Sequence, residues 1–193
     1  MRILILKHRR AGGFVLSQWI ASELQLHHYH EPLGEDNPFN RHNAERALNG
    51  DNVLIEEIPE SIKEFGLDYE EYLNTFDKII CLTRNDIKEC AISLQTFIRK
   101  DKYEQYNIIT TDWLNLNESE FRLNEEYLNK SKIEILNVIN GLQVTYEDIF
   151  ETKKDIQKLV NYLEINSLRY IDILNIIDPA AKKLRNVSSK KLI

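Results

Sequence analysis

The sequence has little of what staples, breaks or spans. Its 193 residues include 2 cysteines, 4 prolines and 6 glycines. Cys81 and Cys90 are too few for a disulfide framework and stand at no zinc-site spacing. One falls in an apolar run and the other on an apolar helical face, so both read as buried free thiols of a reducing compartment. The scarcity of glycine and proline leaves no long flexible linker. No apolar run is long enough to cross a membrane. The first, "ILIL", is too short for a signal-peptide core, and the basic residues follow it instead of preceding it. These absences predict a soluble, cytoplasmic chain with no membrane partner. A positive surplus is also missing. Lys and Arg number 25 against 31 Asp and Glu, a net charge of −6. That argues against a nucleic-acid partner but allows a local basic pocket.

What is present is an ordinary globular composition, 42% hydrophobic and 29% charged, in a chain long enough to bury a core. We read residues 1–193 as a single domain without internal repeats. Short apolar runs alternate with helical patterns. "RILILK", "LHHYHEPL", "NVLIEEI", "DKIICLT", "YNIITT" and "LQVTY" read as strands. Helices are predicted over 14–26, 41–49, 85–100, 118–140 and 147–164, with short ones at "PESIKEF" and "DYEEYLNTF". Trp19 falls on the apolar face of the first helix, a core position, whereas Trp113 suits a pocket wall or plain packing. The alternation predicts an α/β fold: three layers, α/β/α, around a central, mostly parallel sheet of about five strands. Ligands of such sheets bind at the C-terminal ends of strands.

Two strand ends carry chemistry. Lys7, His8, Arg9 and Arg10 close the first strand, and Gly12 and Gly13 open the following helix. Glycine-rich turns let N–H groups converge on a phosphate at the positive end of a helix. Arg10 or Lys7 can add charge-assisted hydrogen bonds. The same residues also suit a plain strand-to-helix turn with surface cations. No Gly-Lys-Ser/Thr follows, which disfavours a nucleotide kinase or GTPase. At the second end, "LTRNDIKECAISL" places Arg84 where a strand stops, with Asn85 or Asp86 able to cap the next helix. Ile87, Cys90, Ala91, Leu94, Phe97 and Ile98 form its apolar stripe. Ser93 lies on the flank of that stripe, where it and Arg84 can reach a ligand or simply face solvent.

Taken in order, these segments resemble the P-loop-like sulfotransferases that use 3′-phosphoadenosine-5′-phosphosulfate (PAPS). In that family a loop Pro-Arg/Lys-Ser-Gly-Thr-Thr follows the first strand and holds the 5′-phosphosulfate. Here Arg9, Arg10, Ala11, Gly12, Gly13 and Phe14 occupy the place. Arg9 stands where proline is usual, and Ala11, Gly13 and Phe14 replace hydroxyl residues. The family binds the 3′-phosphate through an Arg at a later strand end and a Ser on the next helix, matched by Arg84 and Ser93. That spacing is similar to the bacterial trehalose sulfotransferase subgroup. "YEDIF" at 146–150 is similar to the family's "YEDL" segment, and "HEPL" at 30–33 to the acceptor-side "EPL" of glycan sulfotransferases. "LRNVSSKKLI", with Arg185, is similar to a basic segment that closes over the nucleotide, which would make 166–193 a closing segment.

The resemblance implies a P-loop-like sulfotransferase fold, PAPS as donor, and a small-molecule or glycan acceptor. Sulfuryl transfer asks the protein to position reactants and neutralise charge. Arg10 is the candidate for stabilising the leaving phosphate and the transferring group, with Lys7 and Arg9 in reserve. Glu31 is the leading candidate for the base that takes the acceptor proton, and His30 is the next. Glu147 or Asp148 is expected to cap the following helix while Tyr146 packs. His28 and His30 would share a strand face. No third ligand stands at a recognisable spacing, so no metal is predicted. The altered first loop also fits a relative that binds a nucleotide or glycan without transfer.

Overall fold

The computed structural model describes residues 1–34, 40–105 and 117–165, and all their side chains except those of 40–41 and 97–105. The strand expected at "YNIITT", Trp113, Arg185 and the closing segment 166–193 lie outside the described residues, as do the side chains of Phe97 and Ile98.

Five of the expected strands form: β1 (Arg2–Lys7), β2 (His27–His30), β3 (Val53–Glu57), β4 (Lys78–Thr83) and β5 (Leu142–Thr145). They form one sheet in the order β2-β3-β1-β4-β5, with every pairing parallel. The helices are α1 (Gly13–Leu24), α2 (Asn40–Asn49), α3 (Pro59–Glu64), α4 (Tyr69–Leu73), α5 (Ile87–Gln105), α6 (Glu118–Leu136) and α7 (Ile156–Leu163).

Successive strand residues face opposite sides, so each central strand feeds two cores. Ile3, Ile5, Ile80 and Leu82 meet Leu16, Trp19 and Ile20 of α1 and Leu159 and Val160 of α7. Leu4, Leu6, Ile55 and Cys81 meet Ala44 and Ala47 of α2, Ile62 of α3, Tyr72 of α4 and Ile135 of α6. The predicted three layers are thus present, and Trp19 is a core residue at 1% exposure. A smaller cluster joins α5 to α6 through Ile87, Cys90, Ala91, Leu94 and Leu128. Both cysteines are free and buried. Burial pushes the Cys81 thiol up to about 12 and the Cys90 thiol up to about 11, so neither is a reactive thiolate. No described helix is long and apolar enough to cross a membrane.

Three boundaries differ from expectation. The second strand stops at His30 because Glu31 turns to φ 42 and Pro32 has no N–H to donate. α6 ends at Leu136, short of Asn140, where the N–H of Asn137 folds back to the carbonyls of Ile133 and Glu134. The last predicted helix is two pieces. A π turn over Glu147–Glu151 closes with Thr152 N–H donating to the Glu147 carbonyl at 2.9 Å. Lys153, at φ 62, then breaks the path before α7.

The topology selects one rim. The chain leaving β1 enters α1 on one face of the sheet, whereas the chain leaving β4 returns through α6 on the other. β1 and β4 are neighbours, so the connections diverge at their C-terminal ends, the place where ligands of such sheets bind.

Candidate functional site

The loop after β1 is locked from beneath by His8, which is fully buried. Its Nε2 accepts the N–H of Arg84 at 2.9 Å. Its Nδ1 therefore carries the proton and donates to the Arg9 carbonyl, also at 2.9 Å. Burial pushes its pKa down to about 4 against that bond, and Lys132, Lys7 and Arg84 add to the lowering. His8 is a neutral brace between the turns after β1 and β4.

Above it the backbone turns left-handed at Arg10 (φ 63) and Gly12 (φ 85). A Cβ on Gly12 would lie 2.6 Å from the Tyr146 ring. One on Gly13 would strike the Lys7 chain and lie 2.5 Å from Glu56 Oε1. The two glycines therefore admit neighbouring side chains as well as a sharp turn. No side-chain hydrogen bond caps α1, which leaves the first N–H groups of the helix as an anion-seeking end. The N–H of Ala11 is used by the His8 carbonyl at 3.3 Å, and its side chain is in the core.

The turn after β4 meets this loop directly. Arg10 Nε donates to Ser93 Oγ at 2.9 Å, and Cys90 Sγ lies 3.7 Å from the Arg10 carbonyl. Asp86 caps α5 by accepting the N–H of Glu89 at 2.9 Å. Arg84 is buried. Its guanidinium sits 4.6 Å from the centre of the Tyr146 ring, pairs with Glu89 and lies 3.9 Å from Glu147 Oε1. Tyr146 thus packs between Gly12 and Arg84. Glu147 does not cap its own helix. Both oxygens of its carboxylate accept the single backbone N–H of Asn85, at 3.0 and 3.1 Å, and brace the β4 turn.

A second group of polar side chains forms at the ends of β1, β2 and β3. His28 and His30 do share a face, and the register sets His28 beside Leu54 and His30 beside Glu56. Glu56 is fully buried. Its Oε2 accepts Ser17 Oγ at 2.9 Å and lies 3.0 Å from His30 Nδ1, and its Oε1 lies 3.1 Å from Lys7 Nζ. Burial alone would raise the pKa of Glu56, but His28, His30 and Lys7 outweigh it and hold the carboxyl far below its usual range. The bond to Glu56 raises the pKa of His30 against the effect of burial.

Glu31 pairs with the same Lys7. Burial would raise its pKa, yet Lys7 holds it below the usual value. Phe14 leaves the apolar stripe of α1 and lies edge-on to His30 at 5.1 Å. Glu57, on the opposite face of β3, accepts the N–H groups of Leu33 and Ile58, each at 3.0 Å, and so pins the loop that carries Glu31. Burial pushes its pKa up to about 7 despite those bonds.

Of the predicted site residues, Arg10, Gly12, Arg84 and Ser93 come together at the β1/β4 rim, whereas Gly13 packs against Lys7 and Glu56. Lys7, His30, Glu31 and Phe14 gather at the adjoining β1/β3/β2 rim. Arg9 turns away, with Nε donating to Tyr127 Oη at 3.3 Å. Sequence reasoning missed Glu56 and Ser17. The signal for Glu56 was an acidic pair inside the apolar run "NVLIEEI", a costly place for charge without partners.

No family model matches this chain, and no curated protein matches it. Among solved structures it is similar to the crystal structure of mouse sulfotransferase SULT7A1 complexed with PAP. The TM-score is 0.56 at 17% identity, over 94% of this chain and 65% of that one. The chain has a sulfotransferase fold. It spans less than two thirds of the length of that relative. Within the sulfotransferase fold, the loop at 7–14 follows the first strand, and the Arg84 turn ends the strand beside it.

Proposed function

We propose that this chain is a sulfotransferase that moves a sulfuryl group from PAPS to a hydroxyl of a carbohydrate-class acceptor. The observation that carries the reading is the junction at the β1/β4 rim. The uncapped start of α1, Arg10 bonded to Ser93, and Arg84 braced through His8 meet there in a sulfotransferase fold. These residues fit a donor with anionic groups at two ends. One feature opposes full occupancy: Glu89 already pairs with Arg84.

PAPS, when bound, supplies an activated sulfuryl group on a bisphosphate leaving group. The N-terminus of α1 and the Arg10 guanidinium neutralise negative charge at the 5′ side. Ser93 fixes the orientation of Arg10. Arg84, held over the Tyr146 ring, serves the 3′ side in place of its bond to Glu89. On the acceptor side the geometry favours His30 over Glu31 as the base. Its Nδ1 is fixed by buried Glu56, and its ring is half open, at 47% exposure, so Nε2 can receive the acceptor proton. Glu31 is tied to Lys7 and held charged, which makes it a weak base but a good clamp on that lysine. The buried free thiols support a place in the cytoplasm.

Thermal unfolding with adenosine 3′,5′-bisphosphate tests the donor site. At about 100 times its dissociation constant the ligand adds ~2.7 kcal/mol of stability. No shift at saturation overturns the reading. Transfer of radiolabelled sulfate to a panel of sugars then separates an enzyme from a binder.

A further inference from the structure

Among the described residues, two imidazoles and a carboxylate converge at the end of β2 and β3. The ligand atoms of His28, His30 and Glu56 all lie within 4.8 Å of one another. We propose that His28 Nε2, His30 Nδ1 and Glu56 Oε2 form a binding site for one divalent cation of the zinc class.

The two distances to the carboxylate suit it. Oε2 of Glu56 lies 3.6 Å from His28 Nε2 and 3.0 Å from His30 Nδ1. A tetrahedral zinc with bonds of ~2.0–2.1 Å needs its ligands about 3.3 Å apart. His28 Nε2 is buried and has no hydrogen-bond partner among the described residues, since 3.6 Å is too long for one. A cation between the ring and the carboxylate satisfies that orphaned nitrogen. The carboxylate is already oriented by outer partners, Ser17 at Oε2 and Lys7 at Oε1, as metal-bound carboxylates are. Lys7 does not bar a cation. It faces two carboxylates, Glu31 and Glu56, so the cluster keeps a negative excess when the imidazoles are neutral. Two nitrogens and one oxygen select zinc, cobalt, nickel or copper over magnesium and calcium. The half-open face of His30 gives the ion a way in and a water its fourth position.

Occupancy has a consequence that rests on His30 being the base. Coordination at Nδ1 leaves the ring proton on Nε2, so a loaded site cannot accept a proton from the acceptor hydroxyl. Metal binding and base action exclude each other.

Equilibrium dialysis of the full chain against zinc, and titration with cobalt(II) followed by visible absorption, test the site without any substrate. The expected result is one equivalent bound, with the absorption of four-coordinate cobalt. His28→Ala and, as a size-matched second variant, His28→Gln should each weaken binding at least ~10-fold while unfolding cooperatively in chelator like the parent. Absence of binding at modest metal excess overturns the proposal, as does equal affinity in the parent and both variants. Zinc should also suppress sulfuryl transfer, with recovery on chelation. Zinc bound at this site with undiminished transfer would remove His30 as base and leave the metal site standing.

Discussion

Gly12 is fixed by two separate constraints, its left-handed φ and the Tyr146 ring across from its Cα. Gly12→Ala should therefore cost about 1–3 kcal/mol, read as a lower denaturant midpoint. Measured against Tyr146→Leu alone, the same change should show only the backbone cost, because the clash is gone. Gly12→Ala at parental stability would mean the loop is not built this way. Glu89 offers a sharper test of the donor site. It neutralises Arg84, and 44% of its side chain is exposed. Glu89→Gln should tighten adenosine 3′,5′-bisphosphate binding severalfold by calorimetry, as a competing carboxylate disappears. Unchanged affinity would remove Arg84 from the phosphate site. Arg10, Ser93 and Arg84 were legible because cations and a hydroxyl stand out at strand ends and helix flanks. Glu56 was not, because its meaning lies in partners contributed by β1, β2 and α1.

At the scale of elements, the turns after β1 and β4 act as one unit through His8. Its folded pKa is about 4, against 6.5 for a free histidine. Between those values the unfolded chain binds the proton that the folded chain refuses. Stability is then full above about pH 6.5, declines as pH falls toward 4, and loses on the order of 3 kcal/mol in all. Urea midpoints at pH 7 and pH 4.5 should fall more for the parent than for His8→Gln. An equal fall in both would assign the acid sensitivity elsewhere. The strands were readable from apolar runs and most helices from their spacing. The break between the π turn and α7 was not, because it depends on Thr152 bonding back to Glu147 and on Glu147 serving the β4 turn.

For the whole molecule, the order β2-β3-β1-β4-β5 sets two rims side by side, one carrying Arg10, Ser93 and Arg84 and one carrying Lys7, His30 and Glu31. If both turns grip one bisphosphate, its binding should slow amide hydrogen exchange at 8–14 and 84–93 together. Protection of one turn alone would contradict a shared ligand. Glu56 joins the rims from within, since it contacts Lys7, Ser17 and His30. Glu56→Ala should destabilise by ~3–5 kcal/mol, the cost of breaking a buried ion pair, in chemical unfolding. A loss under 1 kcal/mol would mean that Glu31 alone satisfies Lys7.

The sequence by itself determined the layers, the strand and helix segments, the positions of the cationic and glycine turns, and the family these resemble. Each of those is set by local periodicity and residue chemistry along the chain. Tertiary structure alone decided that β3 lies between β1 and β2, which brings Glu56 to Lys7 and His30 and makes a third ligand beside two histidines. Parallel strands reach their neighbours through crossovers, so lateral order leaves no mark in sequence spacing. Burial, which sets the charge states of His8 and Glu57, and the partners that keep Glu56 charged exist only once the layers close.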